Sequence, residues 1–166
     1  MSTGPAARYH LSTDRERLQL AWVTRALAAT YWARGRTRET VEAAVAGSRC
    51  YGLYDTSTGA QVAFARVVTD GITFAWLCDV VVDENLRGRG LGQLLVHGIV
   101  DDPALATVTL HLATQDAHGL YEKFGFAREE SLRRPRRRPL PGEAPPPASG
   151  APTGPGPTDK PAVGPV

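Results

Sequence analysis

The sequence predicts a mixed α/β fold in which an antiparallel meander of strands becomes parallel near its end, with helices on both faces. Two helical segments come first, followed by three apolar strand segments that tight turns separate. Helical periodicity then resumes after Gly90, and one further strand and helix follow. Because a helical crossover returns the chain in its original direction, a meander followed by strand–helix–strand gives antiparallel pairs first and a parallel pair last.

The first half of the chain contains two predicted helices and three predicted strands, after an opening segment that is a candidate strand. Thr37 precedes a helical pattern and is expected to cap it, because its side chain can accept a bond from a first-turn amide. The residues of Tyr31–Arg36 break the preceding helix. The predicted elements are a helix from the Thr13–Asp14 cap to Leu27, a helix at Thr37–Ala46, and strands at Arg49–Tyr54, Gln61–Val68 and Ile72–Val82.

The second half is predicted to alternate helices and strands. Apolar residues from Leu91 to Ile99 share one helical face, and Asp101 and Asp102 before Pro103 mark the end of that helix. The remaining predicted elements are a β-branched strand at Thr107–Leu112, a helix at Asp116–Phe124, for which Asp116 fits as N-cap, and a short final strand at Phe126–Glu130.

Composition divides the chain into a folding unit at residues 1–130 and a tail at residues 131–166. Eleven of the 13 prolines lie in the tail, among Gly, Ala, Ser and Thr. Such a segment has few large apolar side chains to bury, so it cannot offset the entropy of ordering its backbone. We expect the tail to be disordered and partly polyproline II.

Charge and cysteine content narrow the class of protein. Residues 1–130 contain 13 Lys/Arg against 15 Asp/Glu, which argues against a nucleic-acid-binding domain, and the basic run 133–138 is expected to be solvated. Cys50 and Cys78 lie in predicted strands and are expected to be free thiols. The four histidines lack metal-ligand spacing. Without an apolar leader or membrane span in this sequence, we expect a cytoplasmic protein that binds no metal, membrane or nucleic acid.

The segment from Val80 to Gly92 has the pattern of an anion-binding turn. A buried strand leads into a glycine-rich turn that opens directly into an amphipathic helix. Glycines allow a ligand to approach the backbone closely, and the free amides and dipole of a helix N-terminus favour a phosphate. Gly92 is followed by Gln93 and Leu94, not by the Lys-Ser/Thr of a Walker loop, and the glycine spacing does not fit a dinucleotide-binding turn.

Two motifs together resemble the GNAT superfamily of N-acetyltransferases. Arg87-x-x-Gly90-x-Gly92 is similar to the pyrophosphate loop of that family. One helix and one strand later, the chain has the similar family segment A-x-x-x-Y-E-K-x-G-F, formed by Ala117, Tyr121, Glu122, Lys123, Gly125 and Phe126. The resemblance covers about residues 7–130. It implies the GNAT acyl-CoA N-acyltransferase fold and transfer of an acetyl group from acetyl-CoA to a primary amine of a small molecule or protein.

The resemblance also implies which residues hold the co-substrate. The backbone of the strand before the loop would bind the pantetheine arm, and the loop amides would hold the pyrophosphate. Thr114 stands where the family commonly has an asparagine that contacts pantetheine. The residues implied are Val80, Val81, Val82, Arg87, Gly88, Arg89, Gly90, Leu91, Gly92, Gln93 and Thr114.

The resemblance implies a catalytic role for Tyr121, and the positions of other polar residues in the predicted fold make them further candidates. Tyr121 matches the family's general acid, which protonates the departing thiolate. Asp79 would project from the sheet on the side opposite to Val80, where a carboxylate is a candidate general base, an attractor for a cationic substrate, or a partner in a structural salt bridge. Asp116 and His118 lie near the acceptor end by topology.

The acceptor side is less fully specified by the sequence. Its candidate lining residues are Tyr31, Trp32, Arg34, Arg36, Arg66 and Phe74, of which the arginines would suit an acceptor with a carboxylate or phosphate. Family members usually have a further strand after the Gly-Phe, where this chain becomes polar and proline-rich. That side of the pocket is therefore expected to be shortened, open to solvent or completed by a partner subunit. The third of these alternatives would make the protein a homodimer. The alternative to an enzyme is a non-catalytic acyl-CoA-binding sensor.

Overall fold

A computed structural model describes residues 8–141 and places five strands in one sheet, in the order β1-β2-β3-β4-β5. The first four strands pair antiparallel, and β4 pairs parallel with β5. The predicted change from antiparallel to parallel pairing is thus confirmed. The strands are β1 (Tyr9–Ser12), β2 (Arg49–Asp55), β3 (Gln61–Thr69), β4 (Phe74–Val82) and β5 (Thr109–His111).

Four α-helices accompany the sheet in the described residues, and the second and third have limits close to the predicted ones. Thr37 caps the second helix by accepting a bond from the Thr40 amide, as predicted. Asp14 caps a single 3-10 turn instead of the first helix, which begins six residues later. The helices are α1 (Leu20–Ala28), α2 (Arg38–Ala46), α3 (Leu91–Val100) and α4 (His118–Tyr121).

Helices on both faces of the sheet give the protein two apolar cores. Leu91, Leu95 and Ile99 of α3 pack with Leu77 and Tyr121 in the larger core. On the opposite face, α1 and α2 cover a smaller core that contains Phe64 and Val81. Adjacent residues of β4 face opposite cores, because successive side chains of a strand alternate between the two faces. Val81 therefore faces α1 and α2, whereas Val80 and Val82 pack on the α3 side.

The end of the domain differs from the prediction in three respects. Phe126–Glu130 forms no strand, because its residues have no pairing partner beside β5 among those described. The predicted helix at Asp116–Phe124 is one short α-helix followed by a 3-10 turn at Glu122–Phe124. Asp116 is not its N-cap, since Ala117 occupies that position. The Thr114 hydroxyl oxygen accepts a hydrogen bond from the Ala117 amide.

Residues 131–141 contain neither helix nor strand, and most of their side chains are exposed. The remainder of the predicted tail, and the first seven residues of the predicted domain, lie outside the described residues. Cys50 and Cys78 are free thiols, the first buried and the second half-buried. None of the helices within residues 8–141 has the length and apolar character that crossing a membrane requires.

Candidate active site

The sheet opens between β4 and β5. The two strands pair only at Phe74–Trp76, opposite Thr109–His111. Beyond that point β4 continues to Val82, and residues 77–82 have no strand partner on the β5 side among the described residues. Their backbone donors and acceptors on that side are therefore available to a ligand. This is the splayed geometry that the resemblance implies for Val80–Val82.

The glycine turn follows this open stretch directly. Gly88 and Gly90 have φ angles of 74° and 79°, in the left-handed region that glycine adopts without strain. Gly90 is the N-cap of α3, and no side chain bonds to the helix at this end, so its first amides point outward uncapped. Nothing lies within 4 Å of the position that a Cβ would take at either glycine. The structure therefore leaves open space above the turn.

Charge and anchoring at the turn come from different residues. Arg87 and Arg89 are exposed, and neither forms an ion pair with the residues that the structure describes. Leu91 is 1% exposed and anchors the start of α3 in the core, whereas Gln93 is exposed beside the turn. Two free guanidinium groups and a helix N-terminus make this a favourable place for an anion.

Tyr121 lies at the end of α4, 8% exposed, with its ring edge-to-face against Phe126 at 5.7 Å between centroids. Burial, with smaller contributions from the charges of Asp116 and Tyr31, raises the pKa of Tyr121 to about 12. Its hydroxyl group therefore holds its proton firmly at neutral pH.

Asp79 occupies a β-bulge in β4. Between the pairs Phe64–Val81 and Arg66–Cys78, β4 contributes two residues where β3 contributes one. Asp79 has φ of 54°, a conformation that Asp and Asn tolerate better than most residues. The extra residue turns the Asp79 side chain toward α1 and α2, on the side opposite to Val80, as predicted.

The Asp79 carboxylate is bound by two arginines. Arg36 Nη1 donates to both of its oxygens at 2.9 and 2.8 Å, and Arg66 Nε donates to Oδ2 at 2.6 Å. The side chains are 4% exposed for Asp79 and 15% for each arginine. Of the roles left open by the sequence, this Arg36–Asp79–Arg66 cluster favours the structural salt bridge. It also occupies two arginines that the sequence had placed among the acceptor-lining residues.

A groove of about 980 Å³ lies between β5 and the chain after Gly125. Tyr121, Thr114 and His118 all line it, so the structure brings these three predicted residues together. The Thr114 hydroxyl oxygen accepts the Ala117 amide at 3.0 Å, which leaves its proton free to be donated. Asp116 is exposed and acts on Tyr121 through its charge.

Two residues of the groove were missed by the sequence analysis. Trp76 and His111 line it beside Tyr121, one on β4 and one on β5. For Trp76, the sequence offered one signal, the alternation of side chains along β4. It places Phe74 and Trp76 on one face of the strand, and Ala75 and Leu77 on the other. His111 had no such signal, because its place depends on the parallel register that pairs it with Trp76.

Comparison with known proteins identifies the family. The family model described as an acetyltransferase (GNAT) domain matches residues 46–128. A protein of Gibberella zeae named as an acetyltransferase is 31% identical over 140 residues, which are 71% of this chain and 78% of that protein. A chloroplastic serotonin N-acetyltransferase 2 of Oryza sativa subsp. japonica is 36% identical over 74 residues, covering 43% of this chain and 36% of the relative.

A solved structure agrees with these matches over most of the fold. It is the crystal structure of a protein assigned to the GNAT acetyltransferases from Xanthomonas campestris pv. campestris. The two chains are 39% identical and superpose with a TM-score of 0.72, over 81% of this chain and 94% of the other. With the family model and the relatives, this shows that the chain belongs to the GNAT family of acetyltransferases.

Proposed function

We propose that this protein transfers the acetyl group of acetyl-CoA to a primary amine by direct attack in a ternary complex. The observation that supports this most is the open stretch of β4, which leads straight into an uncapped helix N-terminus. Tyr121 lines the groove beside β5, together with Trp76 of β4 and Thr114. The name N-acetyltransferase of a relative adds support for an amine acceptor. Because the site lies between Tyr31 and Phe126, residues 1–130 would suffice for activity.

The described residues fit acetyl-CoA along its length. Free backbone groups of Val80 and Val82 would pair with the amides of the pantetheine arm, with Val81 between them buried as an anchor. The Thr114 hydroxyl would donate a further hydrogen bond to this arm. The pyrophosphate would lie over the glycine turn, held by its amides and by the Arg87 and Arg89 guanidinium groups.

The proposed step forms one bond and breaks one. The amine nitrogen attacks the thioester carbonyl carbon, and a backbone N–H near Val81 or Val82 stabilises the oxyanion that develops. When the carbon–sulfur bond breaks, Tyr121 gives its phenolic proton to the departing sulfur. The attacking nitrogen loses its proton to water, because both oxygens of Asp79 are already bound by arginines. We propose that Asp79 maintains the bulge that orients the open backbone.

The test of this function is turnover of acetyl-CoA with a panel of primary amines. We expect release of free CoA thiol together with an equal amount of N-acetylated product, detected by mass spectrometry. Binding of acetyl-CoA by calorimetry, with no thiol release above spontaneous hydrolysis for any amine, would instead identify a non-catalytic sensor. Absence of acetyl-CoA binding would refute both functions.

Replacing Gly90 with alanine is expected to weaken acetyl-CoA binding by roughly tenfold. Its φ of 79° costs a non-glycine residue about 1–2 kcal/mol, and relief of that strain reorients the amides of the turn. Isothermal titration calorimetry would measure the dissociation constant. Gly59→Ala is the matched control, because it introduces the same strain at φ of 71° in the distant β2–β3 turn. Equal affinities in both variants would contradict the proposed pyrophosphate site.

A further inference from the structure

His118 and Tyr121 lie one turn apart on the same short helix. Both belong to α4, and the Tyr121 amide donates to the Ala117 carbonyl at 3.4 Å, which closes the turn that contains His118. Residues three apart on a helix are neighbours, with about 5–6 Å between their Cβ atoms. Both side chains line the 980 Å³ groove. The imidazole therefore opens onto the same space as the proposed general acid and lies beside it.

The His118 imidazole is available to exchange a proton. The residue is half-buried, and its side chain forms no hydrogen bond, ion pair or ring contact with any residue between 8 and 141. One ring nitrogen of a neutral imidazole accepts a hydrogen bond while the other donates. Imidazole is also the side chain whose charge ordinarily changes between about pH 5 and 8. A group with these properties is suited to accept a proton at neutral pH.

Five further ionisable or charged groups line the same groove or adjoin α4. They are Asp116 and Glu122 beside α4, His111 on β5, and Arg128 and Glu129 after Gly125, whereas α3 contributes apolar residues only. Glu122 lies four residues after His118, so the two side chains are neighbours along the helix. Three carboxylates against one guanidinium give this group a negative charge. That charge offsets the positive charge that an imidazole gains with a proton.

His118 suits the transfer of a proton from an amine better than the other five groups do. A carboxylate is a weaker base than imidazole at neutral pH, and a guanidinium has no proton-accepting capacity there. The His111 ring stacks on two aromatic rings, 5.1 Å from Phe74 and 6.1 Å from Trp76. His111 also lies where β5 still pairs with β4, whereas the open stretch of β4 begins beyond that pairing.

We propose that His118 accepts, through a water molecule, the proton that the attacking amine nitrogen loses, and passes it to Tyr121 once the phenol has protonated the sulfur. This inference rests on the proposed acetyl transfer and names the proton acceptor of that reaction. The nitrogen–carbon and sulfur–hydrogen bonds form, and one nitrogen–hydrogen bond and the carbon–sulfur bond break. The Tyr121 O–H bond is lost and then restored, so both side chains finish as they began.

The direction of the second proton transfer follows from the two groups. The pKa of Tyr121 is about 12, so its anion takes a proton readily from an imidazolium group. A proton acceptor one turn away from the proton donor thus restores the donor for the next cycle. The products are free CoA thiol and the N-acetylated amine, as in the transfer described above.

The test is the pH dependence of kcat in the wild type and in His118→Gln. The substrate is the primary amine of the panel that gives the fastest thiol release, at saturating concentration. We expect the wild-type kcat to increase between about pH 5 and 8, as the imidazole becomes neutral. A free amine titrates near pH 10, outside this range. His118→Gln should remove the increase and lower kcat at neutral pH by roughly 100-fold, while the KM for acetyl-CoA stays unchanged.

Free imidazole provides a second readout that a purely structural role would not affect. Added to His118→Ala, it should restore part of kcat, because it can enter the vacated space and accept the proton. His10→Ala is the matched control, because His10 is exposed on β1, at the opposite edge of the sheet from β5. This variant should keep the kcat and the pH dependence of the wild type.

Three results would overturn the inference while acetyl transfer itself stands. The first is an unchanged kcat in His118→Gln at every pH. The second is an equal loss of kcat at every pH with no recovery on adding imidazole, which would identify a structural role. The third is loss of the pH dependence in His111→Gln or Glu122→Gln but not in His118→Gln. Absence of thiol release with every amine would instead refute the proposed function.

Discussion

Replacing Tyr121 with phenylalanine is expected to lower kcat by about 100-fold or more, the usual contribution of a positioned general acid. The substitution removes only the hydroxyl group, and the ring keeps its contact with Phe126. Because the departing thiolate then leaves without a proton donor, the chemical step slows while acetyl-CoA binding is retained. Steady-state kinetics and calorimetry on the same preparation would separate the two quantities.

Tyr54→Phe is the matched control, since it also removes a buried phenol hydroxyl, but one that has no hydrogen-bond partner in the described residues. Its kcat should equal that of the wild type. The raised pKa of Tyr121, about 12, also predicts that kcat does not fall with rising pH below about pH 10, because the acid stays protonated. An unchanged kcat in Tyr121→Phe would assign proton donation to another group.

Replacing Asp79 with asparagine is expected to reduce the free energy of unfolding by about 3 kcal/mol or more, the cost of removing one partner from a buried ion pair. Asparagine tolerates the φ of 54° and has nearly the same shape, so the backbone conformation itself is not penalised. What is lost is the negative charge that compensates Arg36 and Arg66, each only 15% exposed. Urea denaturation followed by circular dichroism would measure the difference.

Glu42→Gln provides the comparison, because it makes the same carboxylate-to-amide change in a solvent-exposed pair with Arg38. Its effect on unfolding should be close to experimental error, since water already screens that pair. A pH–rate profile of Asp79→Asn tests the role of this carboxylate. In one outcome, the variant is as stable as the wild type, but its kcat no longer increases with pH where that of the wild type does. Asp79 is then the general base and our structural assignment is wrong.

The sequence predicted most of the helices and strands and the glycine turn well, because those features depend on local patterns. The cap at Thr37, the glycine turn at Gly90 and the change of strand direction after β4 all follow from neighbouring residues. The end of the domain was less predictable. Phe126–Glu130 has a strand-like composition, but a strand also needs a partner, and pairing depends on residues distant in sequence.

The acceptor side shows the same limit more clearly. Arg36 and Arg66 are 30 residues apart in sequence, and nothing local indicates that both bind Asp79. The bulge that turns Asp79 toward them arises from one extra residue in β4, which only the register with β3 reveals. Likewise, His111 joins Phe74 and Trp76 only through the parallel pairing of β5.

The lengths of the strands have a consequence for how the molecule behaves in concentrated solution. The sheet tapers, with seven to nine residues in each of its three central strands but four in β1 and three in β5 at its two margins. A β-strand of another molecule that approached either edge strand would find only a few backbone groups with which to form hydrogen bonds. Short edge strands of this kind disfavour edge-to-edge pairing of sheets, which leads to aggregation. The shortness of β5, which leaves residues 77–82 of β4 without a strand partner on that side among the described residues, therefore also limits pairing of this edge with another sheet.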